Sequence, residues 1–588
     1  MADARPSPSN SDLQSIAEAR DLARRAKQAW AELAEFSQEK IDGIVDAMAS
    51  AVTPHAEALA RLAVEETGYG VVEDKIQKNL FSSQKVYNFI KPMKTVGVVA
   101  RYDDRRVVEI AEPFGVVAAV VPSTNPTSTA IYKILIAVKA RCTIVLSPHP
   151  AAVKCITRVA EVMDEAARRA GAPAGTISCM TTVTLEGTQE LMKHRDVAVI
   201  LATGGMGLVR AAYSAGKPAY GVGPGNAPAF IERTAQVRKA VHDIITGKTF
   251  DNGVLCSSEN SVVVDEAVGD DVRREFQAQG GYFMNKAEMD ALAKQLVSPQ
   301  RLPNPALVGR SAVYIAEKCG INAPSGTRVL LAPLDGVGRD YPLSIEKLCP
   351  VLSYYVVRDW REGCERCKQI LRYGGMGHTM SIHSQNEQVI LEFGLHKPAY
   401  RIVVNSPTTH GSVGLSTGLD PAMTLGCGGF GGNITSDNIS PRHLLNIKRL
   451  AYELAPVVSR WDQAAGAPAP AAAASPALPS APAREPMPAG ISAEALTRRI
   501  DQFLGSRGYK SGVRSGVGSG ASPETTGSRP GSDLLQAEKP LDFVSEDDVR
   551  SALKAGKKLV VAERAIITPA ARDLGEEHRV FTVAPWRG

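Results

Sequence analysis

A chain of 588 residues is three to four times the length of an ordinary domain, so several folded units are expected rather than one small module. Its hydrophobic fraction of 44% and charged fraction of 22% are those of a globular protein, which excludes disorder throughout. The formal charge of +5, from 67 basic and 62 acidic side chains, is too slight to argue for nucleic acid or an anionic membrane, and leaves a small molecule or a protein as partner.

Residues 1–10 read as disordered, and MADARPSPSNSDL lacks the basic and apolar regions of a secretory signal. The longest apolar runs, 115–122 and 143–146, fall far short of the ~20 residues that span a bilayer, so a soluble cytoplasmic protein is expected. Asp12 is placed to cap a long helix whose apolar positions Ala19, Leu22, Ala26, Ala29 and Leu33 recur at helical spacing. Segments 96–100 and 106–111, joined by a polar turn, predict a hairpin. Then come short apolar strands at 117–121, 143–146 and 198–201, each followed by a helical pattern. That alternation predicts an α/β fold with a parallel sheet wound by right-handed crossovers, which binds nucleotides at the carboxyl ends of its strands.

Beyond 461 the composition changes. Ala and Pro dominate 464–490, giving an extended tether, and Gly and Ser make 511–530 flexible. Between them ISAEALTRRIDQFLGSRGY puts Ala493, Leu496, Ile500, Phe503 and Leu504 on one helical face. So short a helix is unstable alone, so it docks in a groove of a partner or of its own enzyme. The end carries VSEDDVRSALKAG with Ser545 as cap, a strand at 559–562, and ITPAARDL with Thr568 and Pro569 at N-cap and N1.

Among the chemistry-bearing residues, Gly426, Gly428 and Gly431 in GCGGFGG satisfy G-x-G-x-x-G spacing. They lie near the end of the main body and not between an early strand and a helix, so a close-packed turn is expected. Thr203, Gly204 and Gly205 sit directly after a strand and before a helix, where backbone amides face a phosphate or a nicotinamide, or form a plain tight turn. Nine cysteines, sparse and odd in number, read as thiols of a reducing compartment. Cys364 and Cys367 form C-x-x-C on a helix with no second pair to complete a zinc site, and no metal is expected. Cys256, in FDNGVLCSSEN, stands at a loop junction as either a nucleophile or a buried core thiol.

Six ordered strings together resemble the CoA-acylating branch of the aldehyde dehydrogenase superfamily: PSTNPTSTA, GVGPGNAPAF, TFDNGVLCSSENSVVVDE, EKLCPVL, GMGHTMSIHS and TLGCGGFGGNITSDNISPRHLLNIKR. The resemblance implies a Rossmann-like cofactor domain over 11–232 that includes an arm hairpin at 96–111. It further implies a catalytic domain over 233–426 and an oligomerisation arm with the C-terminal return over 427–460. It makes Cys256 the nucleophile and Asn125 the oxyanion donor, beside the Cys256 backbone N–H. Glu346 would hold the nicotinamide ribose, against a solvated helix-end charge. Ser147 and His149 would lie near the adenosine ribose, with Thr203, Gly204, Gly205 and Gly223 against the cofactor. His378 would meet substrate or CoA, or be a core histidine. The stretch Gly221–Asn226 lacks the glutamate with which hydrolytic members activate water, a loss of ~10²–10⁴-fold for water attack. A thiol such as coenzyme A needs less help.

The expected reaction is therefore short-chain aldehyde, CoA and NAD to acyl-CoA and NADH, with NADP as the other cofactor choice. A hydrolytic dehydrogenase and an inactive scaffold protein are the alternatives. The tethered helix at 491–506 resembles encapsulation peptides of bacterial microcompartment enzymes, implying shell or core proteins as partners and a microcompartment as location. Residues 541–588 resemble an interaction segment of microcompartment-associated proteins, beyond linkers at 461–490 and 507–540. A homodimer or homotetramer is expected.

Overall fold

The computed structural model describes residues 9–455, 457 and 460, and in the tail 541–544, 546–567, 571, 574–575, 578 and 580–583. The chain divides into two compact units, residues 1–483 and 484–588. The predicted helix at 491–506 and both linkers lie outside the described residues, as do Ser545, Thr568 and Pro569.

The first unit opens with the helix Asn10–Leu33, whose cap is Ser9 and not Asp12. Ser9 Oγ accepts from the Asp12 backbone N–H while the Asp12 carboxylate accepts from the Ser9 N–H, so Asp12 is the reciprocal member of a capping box three residues in. The hairpin β1 (Gly97–Tyr102) and β2 (Val107–Pro113) follows, and β3 (Val116–Val121) leads the chain into the first sheet. With β4 (Thr143–Pro148), β5 (Ile177–Cys179), β6 (Val197–Thr203) and β7 (Ala219–Val222) it forms a parallel sheet ordered β5-β4-β3-β6-β7. Alternate residues of β3 enter different cores, Val117, Ala119 and Val121 on one face and Val116, Ala118 and Val120 on the other. That is why the strand reads as an unbroken apolar run.

After β7 the chain crosses at 223–226 into β8 (Ala227–Ile231), which already belongs to the second sheet. The passage therefore precedes the boundary expected at 232. The second sheet adds β9 (Glu259–Asp265), β10 (Gly281–Phe283), β11 (Val329–Pro333), β12 (Val351–Val357), β13 (Met380–His383) and β14 (Ile402–Val404), all parallel, in the order β10-β11-β12-β9-β8-β13-β14. It too is buried on both faces, with Phe230 and Val263 on one side and Ala229, Ile231, Val262 and Val264 on the other. Finally β15 (Leu445–Ala451) returns antiparallel along β2, completing a three-stranded arm.

The second unit, where described, is a parallel sheet of β16 (Leu541–Val544), β17 (Leu559–Ile567) and β18 (Phe581–Val583), with the helix Glu546–Lys554 between the first two strands. β17 runs five residues beyond the strand expected at 559–562. Val544, Val549, Ala552, Val561, Ala571 and Val580 form its core. Among the described residues no helix is long and apolar enough to cross a membrane.

Candidate active site

A cavity of about 500 Å³ in the first unit is lined by the carboxyl ends of β3, β4 and β6, by the residues following β7, and by the loop that carries Cys256. It is the crevice that parallel sheets provide. Asn125, His149, Thr203, Gly204, Gly205, Gly223, Cys256 and Glu346 all line it. Ser147 does not. It is fully buried, and its hydroxyl pairs with Thr188 Oγ1 at 2.9 Å, because strand alternation puts it on the side of β4 that Val145 occupies. The expectation that Ser147 meets the ribose is thereby corrected, and Thr188, from the neighbouring helix, lines the cavity in its place.

At one end lies the thiol. Cys256 follows a turn in which Asp251, Asn252 and Gly253 are all left-handed, with φ of 51°, 52° and 74°. Its Sγ lies 3.2 Å from His378 Nε2, and His378 Nδ1 lies 2.9 Å from Thr379 Oγ1. Burial, with the nearby Glu346 charge, pushes the thiol up to about 12. Burial, with the nearby Arg401 charge, brings His378 down to about 3. The resting pair is therefore neutral thiol and neutral imidazole rather than thiolate and imidazolium. Gly225 packs so tightly on this loop that a Cβ there would lie 2.1 Å from the Cys256 carbonyl oxygen.

Asn125 ends the loop before the helix Pro126–Lys139 without capping it through its side chain, so its amide can face the cavity. Its Oδ1 accepts from Lys78 Nζ at 2.6 Å, and its Nδ2 donates to Thr124 Oγ1 at 3.3 Å. Lys78 also ion-pairs with Asp251, whose Oδ2 takes Lys75 Nζ at 2.9 Å. Burial holds Lys78 down to about 8. The two lysines stand in no motif, and although Asp251 falls within TFDNGVLCSSEN, sequence reasoning gave none of the three a role. Arg401, 3% exposed, was missed as well; its guanidinium donates to the Gly426 carbonyl oxygen. That contact braces the GCGGFGG loop, which lies against the His378 loop: a Cβ on Gly377 would meet the Cys427 carbonyl oxygen at 1.9 Å. The loop's only helical piece is the turn Gly429–Gly431, so it packs and does not open a phosphate-binding helix.

At the other end, Gly205 caps the helix Met206–Tyr213 without a side-chain bond, and while Leu208 N–H donates to the Gly205 carbonyl oxygen at 3.0 Å, the Met206 and Gly207 amides have no partner in the helix. Thr203 Oγ1 is buried with no partner. A Cβ on Gly223 would meet Met206 Sδ at 2.8 Å, a contact the exposed methionine side chain can relieve by turning away. His149 Nδ1 accepts from the Ala151 N–H at 3.1 Å, and Glu346 Oε1 accepts from the Gly225 N–H at 3.0 Å. Burial raises Glu346 to about 8. Free amides, an unpaired hydroxyl and one carboxylate fit a dinucleotide. Among the described residues Glu346 is the single carboxylate lining the cavity, and Val222, Gly223 and Pro224 fill the wall where a water-activating glutamate would stand. Glu259 is fully buried outside the cavity, with Oε1 accepting from the Thr408 N–H at 2.6 Å. Cys364 and Cys367 are buried on the helix Trp360–Tyr373, where Lys397 Nζ donates to Cys364 Sγ.

Residues 7–290 match the family model described as the aldehyde dehydrogenase family. The bifunctional aldehyde-alcohol dehydrogenase AdhE of Escherichia coli K12 is 42% identical over 441 residues, which cover 74% of this chain and 49% of AdhE, so the chain spans about half the length of that relative. The crystal structure of an acetylating aldehyde dehydrogenase from Geobacillus thermoglucosidasius is 50% identical, with a TM-score of 0.75, covering 77% of this chain and all of that one. A propionaldehyde dehydrogenase from the fucose utilisation bacterial microcompartment of Clostridium phytofermentans is 29% identical, with a TM-score of 0.65, covering 73% and 96%.

Proposed function

The chain belongs to the aldehyde dehydrogenase family, in its acylating branch, and on that footing we propose that it converts a short-chain aldehyde, CoA and NAD into acyl-CoA and NADH. One observation carries the reading: a thiol 3.2 Å from an imidazole, at a cavity whose wall over 221–226 offers no carboxylate to activate water.

Cys256 Sγ attacks the aldehyde carbonyl carbon. With the thiol near 12 and the imidazole near 3, the proton stays on sulfur until the S–C bond forms, and His378 Nε2 is the acceptor at hand. The oxygen of the thiohemiacetal takes hydrogen bonds from Asn125 Nδ2 and the Cys256 backbone N–H, donors worth ~3 kcal/mol each when preorganised. Glu346, Thr203 and the amides after Gly205 would hold a nicotinamide dinucleotide, which would supply the hydride acceptor. Cys256 is left as a thioester. Once His378 has given that first proton to solvent, CoA attacks the carbonyl as a thiol, His378 takes its proton, and the Cys256 thiolate leaves and recovers the proton from His378.

NAD is preferred in this reading, with NADP as the other choice, since neither a carboxylate nor a lysine lines the wall around His149. The arm of β1, β2 and β15 would join subunits into a dimer or tetramer. We place the enzyme in a bacterial microcompartment, reached through 491–506; the sequence pattern of that segment and the likeness to the Clostridium phytofermentans enzyme support this.

Purified protein given propanal and NAD should form NADH only when CoA is added, and Cys256→Ala should abolish it. Equal turnover without CoA would replace this reading with a hydrolytic one. No turnover under either condition, with the fold intact, would favour an interaction protein. For the location, residues 491–510 fused to a fluorescent reporter should form foci in cells that assemble shells; diffuse signal would remove the targeting role.

A further inference from the structure

The helix Val72–Leu80 carries three charged residues whose environment is unusual for so polar a segment. Lys75 is 2% and Lys78 4% exposed, and both aim their ammonium groups at Asp251, which is fully buried. Asp74 belongs to the same knot, since its Oδ2 accepts the Asp251 N–H at 2.7 Å. The other oxygen of Asp251 accepts the Val71 N–H at 2.7 Å. Lys75 Nζ continues to the Thr124 carbonyl oxygen at 3.1 Å, and Lys78 Nζ to Asn125 Oδ1 at 2.6 Å. One carboxylate, five residues before the nucleophile, thus ties the turn leading to Cys256 to the residue pair that faces it across the cavity.

The contact to Asn125 decides which end of its amide faces the reaction. The two ends of a carboxamide are almost equal in size, and a half-turn about the last side-chain bond exchanges them. An ammonium group only donates. Lys78 can therefore pair with Oδ1 alone, which leaves Nδ2, the donating end, on the opposite side. Without Lys78 the amide is free to turn and put its oxygen against a developing oxyanion. The cation also draws electron density into the carbonyl, which makes the N–H groups stronger donors.

We propose that Lys78 is the positioning residue of the oxyanion site: held by Asp251, it fixes the Asn125 amide with its NH₂ end toward the carbonyl oxygen of whatever acyl or aldehyde group Cys256 attacks. The inference rests on Asn125 as oxyanion donor, taken from the proposed function, but needs neither CoA nor a dinucleotide. It is tested with p-nitrophenyl acetate, which acylates a thiol through an oxyanion with no cofactor, read as the burst of p-nitrophenolate. Alkylation by iodoacetamide is the companion measurement, because that displacement uses the thiol but passes through no oxyanion.

Lys78→Met should slow the burst by about 10²–10³-fold, as should Asn125→Ala, which is the scale for losing one oxyanion donor. Alkylation should stay within about threefold of the starting protein in both, since no step of it uses the amide. The double variant should be no slower than Asn125→Ala alone, because Lys78 acts only through Asn125. Losses that multiply in the double variant overturn the proposal, as does a fall in alkylation that parallels the burst. If Lys78→Met does not fold, Lys78→Gln enters the same cycle: its amide accepts as well as donates, so it no longer dictates which end of Asn125 faces the reaction, and the burst should again slow with no further loss in the double variant. A normal burst in a protein with no CoA-dependent aldehyde oxidation would discard the proposed function and leave the role of Lys78 standing. A starting protein with no burst overturns both.

Discussion

At the thiol end of the cavity, Asn125 and His378 are each held by a neighbouring side chain, Lys78 for one and Thr379 for the other. At the dinucleotide end the donors are the amides that follow Gly205 and a Thr203 hydroxyl that has no partner. The difference follows the tasks. Bond formation tolerates misplacement of well under 1 Å before rates fall, so its groups are fixed in advance by buried partners. A dinucleotide spreads its affinity over many contacts, so a helix start and a few unsatisfied groups suffice, and the ligand completes their bonding. One end is rigid before anything binds, the other is finished by what binds.

The comparison breaks most visibly if the anchor of the rigid end is removed. Asp251→Asn leaves two buried ammonium groups without their countercharge, and unpairing a buried ion costs about 3–5 kcal/mol. The thermal midpoint should fall by about 3–5 °C in a calorimeter, since a unit of this length unfolds with an entropy of about 1 kcal/mol/K. A fall below about 2 °C would mean that the cluster is not the anchor its burial suggests. Next in size is Gly225→Ala. Its Cβ would lie 2.1 Å from the Cys256 carbonyl oxygen, so the loop must move by about 1 Å and aldehyde oxidation should drop about 100-fold. Gly225 N–H also holds Glu346, but Thr203 and the amides after Gly205 lie on another loop, so dinucleotide affinity, measured by quenching of protein fluorescence, should weaken less than about tenfold. Equal damage to both would show that the two ends are one unit.

The same division explains what could be read from the sequence. Cys256, Asn125, Glu346 and His378 each stand in a short string with a recognisable pattern; the first three line the cavity, and His378 lies beside Cys256. The alternation of strands and helices over 117–201 likewise gives the first parallel sheet. The groups that hold the site were not legible. Lys78 reaches Asn125 across 47 positions and Asp251 across 173, and VEDKIQKNL looks like the solvated face of a surface helix until tertiary packing buries it. Ser147 failed for another reason. All six residues of β4 are buried, so no alternation of polar and apolar residues reveals which side faces the cavity.

The state of the thiol sharpens the comparison further. With Cys256 pushed up to about 12 by burial, the reactive thiolate is a small fraction at neutral pH. That fraction grows as pH rises toward the pKa, so the alkylation rate should climb about tenfold per unit between pH 7 and 9 without levelling off. Stopped-flow measurement with iodoacetamide on the protein alone checks this. A plateau in that interval would mean a thiolate already stabilised by an imidazolium, which the depression of His378 to about 3 argues against.

The smallest expected effect lies at the dinucleotide end and separates a site completed by its ligand from one complete in itself. Thr203 Oγ1 is buried at the end of β6 with no hydrogen-bond partner, an arrangement that costs stability in the absence of a ligand. Thr203→Val removes the orphaned group and keeps the shape of the side chain. Because no bond is lost in the free protein, its stability should stay level or rise by a few tenths of a kcal/mol. Binding should lose one hydrogen bond, about 0.5–1.5 kcal/mol, so the NADH dissociation constant should rise roughly 2- to 13-fold by fluorescence titration. The opposite pattern, a destabilised free protein with unchanged NADH affinity, would mean that the hydroxyl serves the fold, and the contrast between the two ends would then fail at this residue.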